Sequence, residues 1–252
     1  MKLAVSDLSF AGFRSKELMK LPIEYGVEFF YEFGKNYYWD KILPPIAKKR
    51  KMSCSMHGPC AGVNLANTED TEFIGIFRKA FAYAQRCKAE FVVVHTNEEW
   101  TGQRAVIQEL VFERLKMLAA LAADYKVRIL VENVGLKPKG TLLFDWEDYQ
   151  KLLKKLPRTR ALLDTGHANV NHWDIAECIN TLNSRLFAIH LHDNNGQKDQ
   201  HLAIGEGNIS WDEIFAAIKQ SAPQARLIFE YADTTMPKLL SNIKIVEKKY
   251  LS

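Results

Sequence analysis

Long apolar runs are missing from this chain of 252 residues. The longest, residues 117–123, falls far short of the roughly 20 that a membrane-crossing helix needs. The first ten residues, MKLAVSDLSF, carry an aspartate and no sustained apolar core, so no secretory signal is expected there. Cysteine is scarce. Cys54, Cys60, Cys87 and Cys178 are widely spread and form no CxxC pair, which predicts reduced, buried thiols in a cytoplasmic protein. An excess of one charge is also lacking: 34 Lys and Arg against 30 Asp and Glu leave a net charge of +4. That tolerates an anionic substrate but is far from the basic stripe of a nucleic-acid binder. Linkers, low-complexity tracts and repeats are absent, and one domain over 1–252 is expected.

What the chain does have is alternation. Short β-branched or aromatic runs at 3–6, 27–31, 53–57, 91–95, 127–132, 160–164, 186–192 and 226–230 predict eight strands. Helical periodicity lies between them, as in Phe73, Ile76, Phe77, Ala80, Phe81 and Ala84, and again over about 104–125. Ser210-Trp-Asp-Glu213 has capping-box spacing and is expected to open the helix after strand seven. Eight strand–helix repeats predict an α/β fold, a (β/α)8 TIM barrel, in preference to a doubly wound open sheet. The KKRK run at 48–51 ends a helix and is expected to be a solvated helix terminus.

The densest chemical signal is the stretch from Leu186 to Trp211. In the strand LFAIHLH, period-two alternation puts Leu186, Ala188, His190 and His192 on one face and Phe187, Ile189 and Leu191 on the other. Asp199 and His201 follow in a polar loop. The other strands end in the same vocabulary: His57, His95, Glu132, Asp164 (with His167 after it) and Glu230. In a parallel barrel these ends share one rim. A single strand-end histidine or carboxylate is ordinarily a core or capping residue. Several carboxylates crowded together need a cation among them, and a divalent metal supplies it.

With DTGH, HLHD followed by DQH, and GEG in hand, the chain resembles the xylose-isomerase-like TIM-barrel superfamily over most of its length. That superfamily includes sugar (phosphate) isomerases and epimerases as well as endonuclease IV. In the isomerase branch the resemblance implies one manganese, magnesium or cobalt ion on Glu132, Asp164, His190 and Glu230. Glu132 and Glu230 then move a proton through a metal-stabilised enediolate, with His167 and His192 on substrate hydroxyls. In the endonuclease branch it implies three zinc ions. His57, His95 and Glu132 match the first site, Glu132, Asp164, His190 and Glu230 the second, and His167, Asp199 and His201 the third.

The rim loops lack the aromatics and arginines that would wedge into a duplex. The isomerase or epimerase reading, with a small carbohydrate substrate, therefore comes first. A multi-zinc phosphoesterase acting on nucleic acid is the alternative, and a non-catalytic binder ranks third. Asn133 is expected to orient Glu132 or touch substrate, and Lys137 and Lys139 either to meet a substrate phosphate or carboxylate or to lie in a solvated loop. His190 and His192 share a face, and only the family pattern selects His190 as ligand. Tyr31, Glu32 and Trp39 are candidates for the pocket wall or for core packing. Members of the superfamily are often dimers or tetramers, which implies a homo-oligomer.

Overall fold

Runs such as Val92-Val-Val-His95 and Ile129-Leu-Val-Glu132 pack well only when extended, and both become strands. In the computed structural model, which describes residues 1–10, 12–33, 38–50 and 54–252, the strands are β1 (Lys2–Ser6), β2 (Gly26–Phe30), β3 (Ser55–His57), β4 (Val92–His95), β5 (Ile129–Glu132), β6 (Arg160–Asp164), β7 (Leu186–Leu191) and β8 (Arg226–Phe229). Each pairs in parallel with the next, and β8 closes on β1. The helices are α1 (Leu43–Lys48), α2 (Phe73–Cys87), α3 (Arg104–Asp124), α4 (Trp146–Lys155), α5 (Thr165–Val170), α6 (Ile175–Leu182), α7 (Trp211–Ser221) and α8 (Met236–Val246). All eight expected strands form, with ends shifted by a residue or two; Ser53 lies outside the described residues. No described helix is long and apolar enough to cross a membrane.

Period-two alternation builds two cores. Outward residues such as Val92, Val94, Val131, Leu163, Ile189 and Phe229 join the helix faces, including Phe77, Leu115 and Ile218, in one large cluster. Burying a side chain of this size stabilises the fold by roughly 1.5–3 kcal/mol. Inward residues Phe91, Val93, Leu130, Leu162, Ala188 and Ile228 fill the barrel as a second, smaller cluster.

Three expectations need correction. The strict alternation expected for strand seven breaks at its start, because a β-bulge pairs Leu186 with Ala161 and Ala188 with Leu162. Leu186 therefore joins the outer core while Phe187 packs against the inner one. Helix α7 does begin after Ser210, but the Ser210 side chain makes no cap bond. Arg50, in the supposed solvated run, instead donates to the carbonyls of Leu18, Leu21, Pro22 and Tyr25. Lys51 lies outside the described residues.

Candidate metal centre

One two-residue step up from the inner layer changes its chemistry. Val93 is followed on the same face by His95, Leu130 by Glu132, Leu162 by Asp164, Ala188 by His190 and Ile228 by Glu230. The strands that fill the barrel thus also aim five polar side chains at its mouth. His57, at the end of β3, joins them.

His190 is fully buried and has two different neighbourhoods. Its Nε2 lies 2.7 Å from Glu28 Oε1. A carboxylate can only accept, so Nε2 carries the proton and Nδ1 presents a lone pair. Nδ1 has no hydrogen-bond partner. It faces Glu230 Oε2 at 3.3 Å, Glu132 Oε1 at 3.5 Å and Asp164 Oδ2 at 3.7 Å. Donors about 2.0–2.2 Å from a shared ion stand about 3–3.5 Å apart, so this spacing suits a divalent metal at the centre.

Two further groups flank the first. His57 Nε2 and His95 Nε2 are 3.1 Å apart, and lie 3.6 and 3.1 Å from Glu132 Oε2. Their far nitrogens are tied to Gly58 O at 3.1 Å and Glu98 Oε1 at 2.7 Å. Both rings therefore turn lone pairs toward each other, an arrangement that needs a proton or a metal between them. On the other side, His167 Nε2 and His201 Nε2 lie 3.3 and 3.1 Å from Asp199 Oδ2. Their Nδ1 atoms donate to Asn133 O and Glu230 O, both at 3.1 Å. A ring nitrogen held by an acceptor outside the cluster is the usual backing of a metal-bound imidazole.

Burial lowers the pKa of His95, His167, His190 and His201, but the surrounding carboxylates outweigh it. His190 and His167 sit well above the ordinary value, while His95 is raised to about 10 and His201 to about 9. Burial likewise pushes Glu132 and Asp164 up, and the histidines beside them hold both well below the carboxylate range. In the metal-free protein, raised imidazoles balance the buried carboxylates. Glu132 Oε2, His190 Nδ1, His192 Nδ1 and Asp199 Oδ1 are buried without hydrogen-bond partners. Orphans of this kind are costly unless something fills the space between them. Oxygen and imidazole donors at these separations fit one or more divalent ions.

The motifs have physical reasons. In DTGH, Asp164 accepts from the backbone N–H of His167 at 2.7 Å and so caps α5. A side chain on Gly166 would put its Cβ 2.0 Å from His192 Cε1. The His192 ring cannot retreat, since it stacks 3.9 Å from His201 and donates to Asp164 at 2.8 Å. His201 holds its place with a left-handed backbone, φ 47°. In HLHD, Asp193 is the buried anchor of the rim loop. It accepts from Trp211 Nε1, Gly205 N and Ile209 N at 2.8–3.2 Å.

A cavity of about 290 Å³ opens above the cluster, with His57, His95, Glu132, His167, Asp199, His201 and Glu230 on its floor and Leu8, Phe30, Leu136, Lys139 and Thr141 on its walls. Of the residues expected to meet substrate, His167 and Lys139 line this cavity, and the others sit elsewhere. His192 is sealed beneath, bonded to Asp164. Asn133 is buried, clasping the backbone of Asp164 at 2.6 and 3.1 Å. Lys137 is not part of the lining, whereas Lys139 is. The side chain of Trp39 lies outside the described residues.

Sequence reasoning missed two residues. Glu28 is hidden mid-strand in β2, and its partner His190 is distant in the chain. Glu98 sits three residues beyond His95, a spacing that offered a weak signal. Half-buried Cys60 and Cys87 depart from the expectation of buried thiols, and the Cys60 sulfur lies within 4.8 Å of donors on His95 and Glu98. Burial and the nearby Glu32, Glu98 and Glu132 push its thiol pKa up.

A family model described as xylose isomerase-like TIM barrel matches residues 25–248. An uncharacterized protein of Methanocaldococcus jannaschii is 28% identical over 190 residues, covering 71% of this chain and 64% of the relative. The match thus spans just under two thirds of that relative's length. A crystal structure of a D-tagatose 3-epimerase-like protein superposes with a TM-score of 0.86 at 25% identity, covering 100% of this chain and 97% of the other. A crystal structure of the IOLI protein with a bound zinc atom superposes with a TM-score of 0.78 at 19% identity, over 100% of both chains.

Proposed function

Because this chain belongs to the xylose isomerase-like TIM barrel family, we propose that it is a divalent-metal-dependent isomerase or epimerase of a small hydroxy-carbonyl compound, a sugar or sugar phosphate. The observation that carries this reading is which carboxylates reach the cavity. Of the three around His190 Nδ1, Glu132 and Glu230 line it and Asp164 does not. Two carboxylates facing one small cavity from strands three apart suit a proton taken by one and returned by the other. A metal held by Glu132, Asp164, His190 and Glu230 would polarise the carbonyl and stabilise negative charge developing beside it. Asp164, bound to His192 and to the His167 N–H, is a ligand only.

His167 and His201, on the floor, meet substrate hydroxyls. Lys139 is the single lysine or arginine among the described lining residues, and of the two lysines named above it is the one placed to take an anionic end. A volume of about 290 Å³ is at the small end for ligand pockets, which favours a monosaccharide over a duplex. The D-tagatose 3-epimerase-like neighbour supports the sugar reading.

One observation favours a second reading, a multi-zinc phosphoesterase. The two oxygens of Glu132 face different imidazoles, Oε2 toward His57 and His95 and Oε1 toward His167 and His190. That is the posture of a bridging ligand between two metals acting on a phosphodiester. Proton NMR in heavy water separates the two. The metal-loaded protein is expected to exchange the C–H beside the carbonyl of a ketose or ketose phosphate. No exchange with any ketose, together with incision of an abasic duplex, would transfer the assignment to the second reading.

A further inference from the structure

The three donor groups are not equivalent, and the difference lies behind the imidazoles. His57, His167 and His201 are each backed by a neutral backbone carbonyl. His95 is backed by Glu98, whose side chain is 42% exposed and therefore screened by water. Of the five imidazoles in these groups, only His190 is backed by a fully buried carboxylate, Glu28. Glu28 is itself fixed, since Ser55 Oγ donates to its Oε2 at 2.8 Å and the two residues are paired across β2 and β3. It belongs to the barrel wall and not to a loop.

The fronts differ in the same sense. His190 Nδ1 faces three carboxylates, whereas the His57–His95 pair shares only Glu132 and the His167–His201 pair only Asp199. A buried carboxylate behind an imidazole raises its basicity toward a metal, and low dielectric strengthens the attraction for a dication.

Building on the metal-dependent reading above, we infer that Glu28 is a positioning residue that makes the His190 group the first to fill, giving a graded centre with one tight metal and weaker neighbours. A graded centre accommodates one-metal isomerase chemistry and the full nine-donor set in one molecule. Glu28 does this by holding the Nε2–H of His190, so that Nδ1 always faces Glu132, Asp164 and Glu230. It does not line the cavity.

The test is a zinc titration of the full chain after chelator stripping, read by competition with a chromophoric chelator. The wild type is expected to take its first equivalent at least about tenfold more tightly than the rest. Glu28→Gln keeps the size and an acceptor for Nε2–H but removes the charge. It should weaken the first equivalent by about 10–100-fold and close the gap to the others. Glu98→Gln should leave the first equivalent within about threefold and weaken a later one. Should Glu28→Gln fold poorly by circular dichroism, Ser55→Ala, which frees only the outer oxygen of Glu28, should shift the first equivalent in the same direction by less. Nitrogen NMR of the histidines should report the Nε2–H form for His190 in the zinc-loaded wild type. An unchanged first equivalent in folded Glu28→Gln, or its loss in Glu98→Gln instead, overturns the role given to Glu28. A wild type that takes up no zinc, manganese or cobalt overturns the metal-dependent reading itself.

Discussion

The two ends of the barrel handle charge in opposite ways. At the lower end, Arg226 donates to both oxygens of Glu90 and to Gln224 O. The guanidinium groups of Arg128 and Arg226 sit 4.3 and 5.1 Å from the Phe187 ring, which packs edge-on against Phe91. Each of these charges is answered by the protein. At the upper end, six of the chain's seven histidines meet six carboxylates, yet four buried donor or acceptor atoms have no partner. A lower end that closes on itself explains stability. An upper end that does not is arranged for something that comes from outside.

That contrast can be broken most severely at Glu230. Glu230→Gln is expected to cut turnover of the metal-loaded enzyme by about 10²–10⁴-fold, while Glu90→Gln at the opposite end leaves kcat unchanged. Steady-state kinetics on both variants checks it, and equal losses would dissolve the distinction.

Between the ends lies the apolar layer. Leu130→Ala, fully buried there, should cost about 2–5 kcal/mol in denaturant unfolding. The stoichiometry of tightly bound metal should survive, because the donors sit one step above it.

Gly166→Ala sharpens the comparison from the upper side. Its Cβ would collide with a His192 ring that is held on two sides. The expected result is about 1–3 kcal/mol of lost stability from overpacking, with metal affinity down about 10–100-fold because Asp164 loses its support. A thermal melt and a metal titration on the same sample read both effects.

The smallest effect is pH dependence in the metal-free protein. The folded pKa values of His95, about 10, and His201, about 9, exceed the ordinary 6.5. Their contribution is fully present below pH 6.5 and is lost as pH rises through 9 to 10. Glu132 and Asp164, held well below the carboxylate range, contribute above about pH 4 and lose that contribution in acid. The Tm of the metal-free chain should therefore fall on the alkaline side, and metal loading should flatten that limb. Metal uptake at pH 7 should also release protons, measured by calorimetry in buffers of different ionisation heat.

How much of this was legible in sequence follows from the physics of a strand. Period two and short β-branched runs mark eight strands, and a ligand-type residue at a strand's end is visible as a change of character, as in LLDTGH or VVVHTN. Local patterns stop where a partner is distant. Glu28 reads as one polar residue inside a strand until β7 is brought beside it. His192, Asn133 and Lys137 could be named as rim residues, but their inward, sideways and outward placements depend on packing that no local rule encodes. The bulge that turns Phe187 inward is a pairing event between two strands, invisible in either alone.

The central claim is that the upper end is built around a divalent cation. Elemental analysis of protein purified without chelator tests it directly, with Asp164→Asn alongside. The account predicts at least one equivalent of zinc, manganese or cobalt per chain in the wild type and its loss in the variant. A folded wild type that is metal-free and takes up none of the three on incubation would contradict it.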